Sequence, residues 1–390
     1  MPRGSSPLLG GQTPAGFLKR HWQKKPLLIR DAFPGFRSPL GPRELAGLAC
    51  EDGVESRLVL QTRRAPGWQL RHGPFKRRDF LHLPKRRWTL LVQDVDKHVP
   101  AVAELLTPFR FIPDWRIDDL MISYAADGGS VGPHVDSYDV FLLQAEGLRR
   151  WDVSSRPHAP AEAAGLELRQ VQDFVPEESW LLFPGDMLYL PPGVVHHGVA
   201  LGPGMTCSIG FRAPSVAELL ADHAGHLLER RPGQRRYTDP DLTPAGKRGG
   251  ELDARTRTRL RHLLQTELQS TGSDLDIGFG RYLTEIKPWL QPSPPRRACN
   301  PAEIGRRLAT GQSLSWHAAS RTLWFKGPHA VHLFVDGSHY PVPPRLAAFA
   351  RLLSAHRHFI PQKLGGYVRH PVAGPLLKGF IDRGQLTWRR

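Results

Sequence analysis

Gly132-Pro133-His134-Val135-Asp136 and, about sixty residues on, Pro191-Pro192-Gly193-Val194-Val195-His196 decide how this 390-residue chain is read. His134 and Asp136 stand at i and i+2, so on a β-strand both side chains leave one face and can chelate one ion. A distant third histidine completes a 2-His-1-carboxylate set. Such a set occupies one face of a metal and leaves three positions open, as in non-haem Fe(II) oxygenases. A lone HxD pair more often marks a solvated strand face. Here a Pro-Pro-Gly turn precedes the third histidine, fixing the entry of its strand. The neighbouring His197 competes for the ligand role, although on a strand it faces the other way. Structural zinc would call for thiolates or a fourth ligand.

Three open positions admit a bidentate 2-oxo acid and still leave one for dioxygen. The far carboxylate of such a co-substrate needs a cationic partner, and the planar fork of arginine suits it. Arg149, on the strand after the one with His134 and Asp136, is the candidate, with a surface cation as the plain alternative. Arg150 points to the opposite face, and Ser123 on the preceding strand can add a hydrogen bond. Tyr138 and Trp151 pack around the co-substrate or belong to the core.

Three cysteines (Cys50, Cys207, Cys299) without CxxC spacing fit a reducing cytosol. No apolar run is long enough to span a membrane, and Met1 to Gln12 has no apolar h-region of a signal peptide. A cytoplasmic protein is expected. The net charge is +16, but unevenly spread. Residues 300–390 hold 13 Lys/Arg against 3 Asp/Glu, whereas residues 101–212 hold 7 against 15. An acidic centre suits a cationic substrate group. The basic end suits a polyanion such as ribosomal RNA, or is a solvated Arg-rich surface. The clusters Lys76-Arg77-Arg78 and Lys85-Arg86-Arg87 read as solvated loops that could also touch RNA.

Residues 1–14 read as a disordered N-terminus. Phe17-Leu18 and Trp22 suggest a short amphipathic helix before a strand at Pro26–Ile29. From Leu120 to Ala213 short β segments alternate with Gly/Pro/Asp turns: Leu120–Tyr124, Val135–Leu143, Arg149–Val153, Glu178–Phe183, Met187–Tyr189, His197–Ala200 and Thr206–Phe211. This spacing predicts a mainly β core, a sandwich or jelly roll of the class that includes the cupins. Residues 156–172 read as a loop. Ser215 can cap the first helix of a helical segment over residues 215–290. The Pro-rich stretch 291–298 reads as a linker. Helices and strands mixed within the basic residues 299–390 suggest a winged-helix-like α+β module.

Met121-Ile122-Ser123-Tyr124, Val131 to Gln144, Arg149-Arg150-Trp151, Pro184 to Gly193 and Ser208 to Pro214 together resemble the bacterial ribosomal oxygenases of the JmjC/cupin type. The resemblance is good over about residues 15–245 and mainly architectural beyond. It implies a double-stranded β-helix catalytic domain over 15–214, a helical dimerisation region, hence a homodimer, and a C-terminal winged helix. It further implies Fe(II) at His134, Asp136 and His196, the last chosen over His197 by alignment with the Pro-Pro-Gly turn. Arg149, helped by Ser123, would hold 2-oxoglutarate. The reaction implied is hydroxylation of a ribosomal protein, in the bacterial branch at an arginine β-carbon of the sixteenth large-subunit protein. Asp118, Asp119, Asp127 and Asp139 are candidates to line the guanidinium site. His197 stands where the family commonly has an acid; it is either on the substrate side or a surface histidine.

Rival readings are a histidine hydroxylase, an N-methyl-lysine demethylase, and a non-catalytic basic ribosome- or RNA-binding cupin. No aromatic cluster marks a methylammonium cage, and the complete triad with Arg149 disfavours a cupin that has lost its iron.

Overall fold

The computed structural model describes residues 7–62, 67–156, 170–230, 236–241, 252–270 and 272–389. Its chain divides into two compact units, Met1–Ala213 and Pro214–Arg390.

The first unit is built on a ten-stranded antiparallel sheet. Its strands are β1 (Leu27–Ile29), β2 (Ser56–Gln61), β3 (Trp68–His72), β4 (Trp88–Val92), β5 (Ile117–Ala125), β6 (His134–Val135), β7 (Val140–Ser154), β8 (Glu178–Leu182), β9 (Met187–Leu190) and β10 (Val195–Phe211). They are ordered β1-β9-β7-β10-β5-β4-β2-β3, with β6 paired to β10 and β8 to β7. The two longest strands, β7 and β10, form one ribbon whose halves have different neighbours. Arg149–Val153 of β7 pair with β8, and Val140–Leu143 pair with β9. On β10, Val195–His196 pair with β6 and Gly204–Phe211 with β5. The register shifts between Leu201 and Thr206, where the ribbon bends. This is the mainly β, cupin-like jelly roll the sequence predicts. The segments read as four separate strands (Val135–Leu143, Arg149–Val153, His197–Ala200 and Thr206–Phe211) lie largely within two continuous ones. The Gly/Pro breaks are absorbed as bulges.

Strand alternation sorts the residues into two faces. Leu120 and Ile122 of β5, Phe141 and Leu143 of β7, Tyr189 of β9 and Cys207, Ile209 and Phe211 of β10 enter the main core. There Phe17, from the helix Pro14–Arg20, meets Tyr189 at 5.0 Å and Phe141 at 5.5 Å between ring centroids. Burying an aromatic this completely contributes about 1.5–3 kcal/mol. Residues of opposite parity face a cavity inside the roll.

The N-terminus departs from expectation. Residues 1–6 lie outside the described residues, but Pro7–Leu9 form a 3-10 turn with Leu8 and Leu9 buried in the core. Two leucines in a Gly/Ser/Pro-rich stretch are enough to anchor it. Most of the predicted 156–172 loop, residues 157–169, also lies outside the described residues.

In the second unit Ser215 and Glu218 cap the helix Val216–Arg230 reciprocally, with N–H···O distances of 2.7 and 3.1 Å. The helices Ala254–Ser270 and Gly272–Thr284 follow. Beyond the Pro-rich stretch come the helix Pro301–Ala309 and strands β11 (Leu314–Trp316), β12 (Thr322–Lys326), β13 (Val331–Val335) and β14 (Ser338–Val342). The helix Ala347–Ala355, β15 (His358–Phe359), the helices Pro361–Val368 and Ala373–Asp382, and β16 (Leu386–Trp388) complete it. They form two three-stranded sheets, β15-β11-β16 and β12-β13-β14. Strand β14 and the helix Pro361–Val368 escape sequence reading because Pro341 and Gly365-Gly366 contradict local propensity. Among the described residues, no helix is long and apolar enough to cross a membrane.

Candidate active site

A cavity of about 270 Å³ opens inside the roll, lined by residues from β2, β4, β5, β7 and β10 and from the 131–138 segment. His134 and His196 are direct cross-strand partners on β6 and β10, with ring centroids 4.2 Å apart. Asp136, just past β6, lies with Oδ2 at 3.6 Å from His196 Nε2 and Oδ1 at 4.0 Å from His134 Nε2. One donor atom from each of the three falls within 4.8 Å of the others.

Both imidazoles are oriented from behind. Nδ1 of His134 lies 3.0 Å from the Gly132 carbonyl, and Nδ1 of His196 lies 3.1 Å from that of Val194. A proton on each Nδ1 donates to that carbonyl and leaves the Nε2 lone pair facing the centre, the tautomer a metal needs. Burial, with the His134 imidazole beside it, pushes His196 down to about 4, so it is the neutral ligand form at physiological pH. The donor set of two neutral imidazoles and one carboxylate fits Fe(II).

Beside the triad lies Arg149, 4 % exposed. Its Nη atoms donate to Thr206 Oγ1 at 3.4 Å and to the Gly198 carbonyl at 3.3 Å, while Nε has no hydrogen-bond partner among the described residues. Among the described residues no carboxylate neutralises it, and burial pushes it down to about 10. The guanidinium carbon stands 4.9 Å from the Trp151 ring centroid, and that ring lies 5.8 Å from His196. A β-carbon at position 198 would come within 2.6 Å of Arg149 Nε and 2.7 Å of Trp151, so glycine there makes room for both. A buried cation in this state lacks an anion. Ser123, 4 % exposed, lines the cavity nearby and donates to the Thr206 carbonyl at 3.5 Å. The dicarboxylate 2-oxoglutarate fits this pairing of metal ligands and unpaired guanidinium.

The acidic residues divide sharply. Asp119 lines the cavity together with Tyr138, near Gly210 of β10. Burial, then the charges of Asp118, Asp94 and Asp96, push its carboxyl up to about 7. The other three acids do not line the cavity, which corrects the sequence reading. Asp118 has the opposite strand parity; it is 48 % exposed and lies 3.7 Å from Arg212. Asp127 pairs with Arg86 at 2.7 Å and accepts from the Gly202 N–H. Asp139 is fully buried on the core side, accepting from Tyr189, Gln23 and Arg116 at 2.6, 3.0 and 3.2 Å. His197 leaves β10 on the face opposite His196, as strand parity predicts, across from Asp152 and near the Phe174 ring, so its substrate-side alternative is corrected: it does not line the cavity.

Sequence reasoning missed Arg57, Gln93, Thr206 and Gln170 on the cavity wall. Thr206 was accessible through the parity of β10. The others reach the site only through sheet order or a returning loop.

Residues 104–219 match the JmjC domain family. The chain is 41 % identical over 369 residues to the ribosomal protein uL16 3-hydroxylase of Escherichia coli strain K12, covering 94 % of this chain and 95 % of that one. It superposes on the X-ray structure of E. coli YcfD with a TM-score of 0.84 at 36 % identity, covering 96 % and 97 % of the two chains. The structure of YcfD, an E. coli ribosomal oxygenase in complex with cobalt and 2-oxoglutarate, matches with a TM-score of 0.82 at 36 % identity and the same coverage. By sequence, fold and site geometry together, the chain belongs to the JmjC-domain ribosomal oxygenases.

Proposed function

We propose that this protein is an Fe(II)- and 2-oxoglutarate-dependent oxygenase that hydroxylates a large-subunit ribosomal protein, uL16, at an arginine β-carbon. The observation that carries this reading is the polarity of the cavity: a buried guanidinium with no carboxylate partner among the described residues beside the metal ligands, and a carboxylate at Asp119 facing the same space. The first suits a dianionic co-substrate and the second a cationic side chain. The uL16 hydroxylase named among the relatives supports the choice of substrate.

In this reading His134, Asp136 and His196 hold the iron, which with 2-oxoglutarate and dioxygen supplies oxidation of an unactivated C–H bond. Arg149 binds the far carboxylate, backed by Ser123 and Thr206, and Trp151 holds the guanidinium plane. Asp119 accepts from the substrate guanidinium. Tyr138, 42 % exposed, flanks the path by which that side chain enters. Together these contacts set the target carbon against the metal face and exclude water.

Exposed apolar residues at Val216, Leu220 and Leu228 on one helix and Leu260 and Leu264 on the next support a homodimer formed through this helical region. Helices packed around β15-β11-β16, with β12-β13-β14 beside them, support the winged-helix-like reading of residues 299–390. The positive charge of that module supports contact with ribosomal RNA. A ribosomal substrate fits a cytoplasmic location.

The test is tandem mass spectrometry of uL16 after incubation with the protein, Fe(II), 2-oxoglutarate and air. One added oxygen on one arginine, absent with His134→Ala, is expected. Oxygen on a histidine would make it a histidine hydroxylase, and loss of a methyl group from a methylated peptide would make it a demethylase. Tight ribosome binding with no turnover would point to a non-catalytic module.

A further inference from the structure

Asp119 has one oxygen tied down and one presented. Its Oδ2 accepts from the Asp94 backbone N–H at 3.1 Å. The same oxygen lies 3.0 Å from the amide of Gln93 when that amide is oriented to satisfy both its neighbours, and in this orientation Gln93 Oε1 accepts from Arg57 Nη2 at 2.8 Å. Oδ1 instead faces the gap left by Gly210, where a β-carbon would stand 3.3 Å from it and 3.8 Å from the Tyr138 ring. Arg57 and Gln93 both line the cavity, brought beside Asp119 by the strand order β5-β4-β2.

We propose that Gln93, backed by Arg57, is a positioning residue for substrate recognition. It fixes the rotamer of Asp119 and favours its ionised form, so that Oδ1 is held ready for a cationic side chain. The inference rests on the assignment of Asp119 to the substrate cation. Without such support a half-buried carboxylate among other acids rotates or takes up a proton. Donated hydrogen bonds favour its charged form, and two donors on one oxygen leave few rotamers open. The amide makes both contacts only because it stands between a cation and an anion. A carboxylate at 93 would keep the contact to Arg57 and repel Asp119.

The variant Gln93→Glu isolates the relay with little change in volume. The readout is equilibrium binding of fluorescent uL16 peptides to the metal-free protein, each arginine peptide paired with one carrying neutral citrulline. The arginine peptide is expected to bind the variant about tenfold or more weakly. The citrulline peptide, already weak, is expected to bind both proteins alike, and a merely structural role would weaken both peptides equally. With activity restored by iron, KM for the peptide rises more than kcat falls. Arg57→Gln reports on the relay from its far end, with a smaller loss of the same charge dependence, and serves if the first variant does not fold. Wild-type affinity for the arginine peptide in both variants, or equal losses for the two peptides, overturns the relay. If wild type itself does not distinguish arginine from citrulline, the assignment of Asp119 fails instead.

Discussion

The two sides of the cavity follow opposite electrostatic plans. On the β7–β10 side a guanidinium is buried with no counter-charge among the described residues, next to two imidazoles oriented by backbone carbonyls, of which His196 is kept neutral by burial. On the β5–β4–β2 side a carboxylate sits among other acids, its ionisation resisted by burial and its geometry held by donors. Each side is unfavourable alone, because each keeps a charge away from water without full pairing. Their juxtaposition makes sense as a site whose ligands bring the missing charges: an anion at one end and a cation at the other.

Substitutions can break each end separately. The largest effect is expected for His134→Ala, which removes one of three metal ligands. Hydroxylation and stoichiometric iron binding are both expected to disappear, as read by mass spectrometry and metal titration. Arg149→Met comes next. Loss of a buried charge-assisted contact is expected to weaken 2-oxoglutarate by about a hundredfold, measured by co-substrate titration, while binding of the arginine peptide changes little.

Asp119→Asn reverses the pattern, weakening the arginine peptide by about tenfold or more with 2-oxoglutarate affinity retained. The sign of its pH dependence follows from a carboxyl raised to about 7 in the fold. The folded protein retains this proton over a range in which the unfolded chain has lost it, so stability falls as pH rises from about 4 to about 7. Asp119→Asn is therefore expected to raise the melting temperature at pH values above about 7 and to do less under acidic conditions. Peptide affinity of the wild type falls as pH drops below about 7, where Asp119 takes up its proton.

A smaller change, Gly198→Ala, forces a methyl against Arg149 and Trp151. It is expected to cost about 1–3 kcal/mol in thermal unfolding and to lower 2-oxoglutarate affinity only. The least effect is expected for His197→Ala, since that ring faces away from both ends. A stability change within about 1 kcal/mol and unaltered turnover would agree with its position.

The cationic side was far more legible in the sequence than the anionic one. His134 and Asp136 declare a shared face by their spacing, and strand parity separates Arg149 from Arg150, which lies outside paired with Asp152 at 3.2 Å. The anionic side hid because acids are plentiful in that region and their faces depend on register. One residue of parity separates Asp119 in the cavity from Asp118 outside it, and Tyr138 in the cavity from Asp139 in the core. Arg57 and Gln93 are joined to the site by the pairing of β2, β4 and β5, a non-local fact that no local motif encodes. The continuity of β7 and β10 was hidden for a related reason. Glycines and Pro203 between the halves look like turns in sequence, yet the ribbon passes through them by shifting register.

The central claim, that the two ends seat co-substrate and substrate across one metal, is tested most directly by coupling. Succinate formed from 2-oxoglutarate and oxygen incorporated into uL16 are measured in one reaction with the iron-loaded protein. Equal amounts of the two are expected, with the oxygen on a single arginine and both products lost in His134→Ala. Succinate without oxidised uL16, or uL16 oxidation that survives His134→Ala, would contradict it.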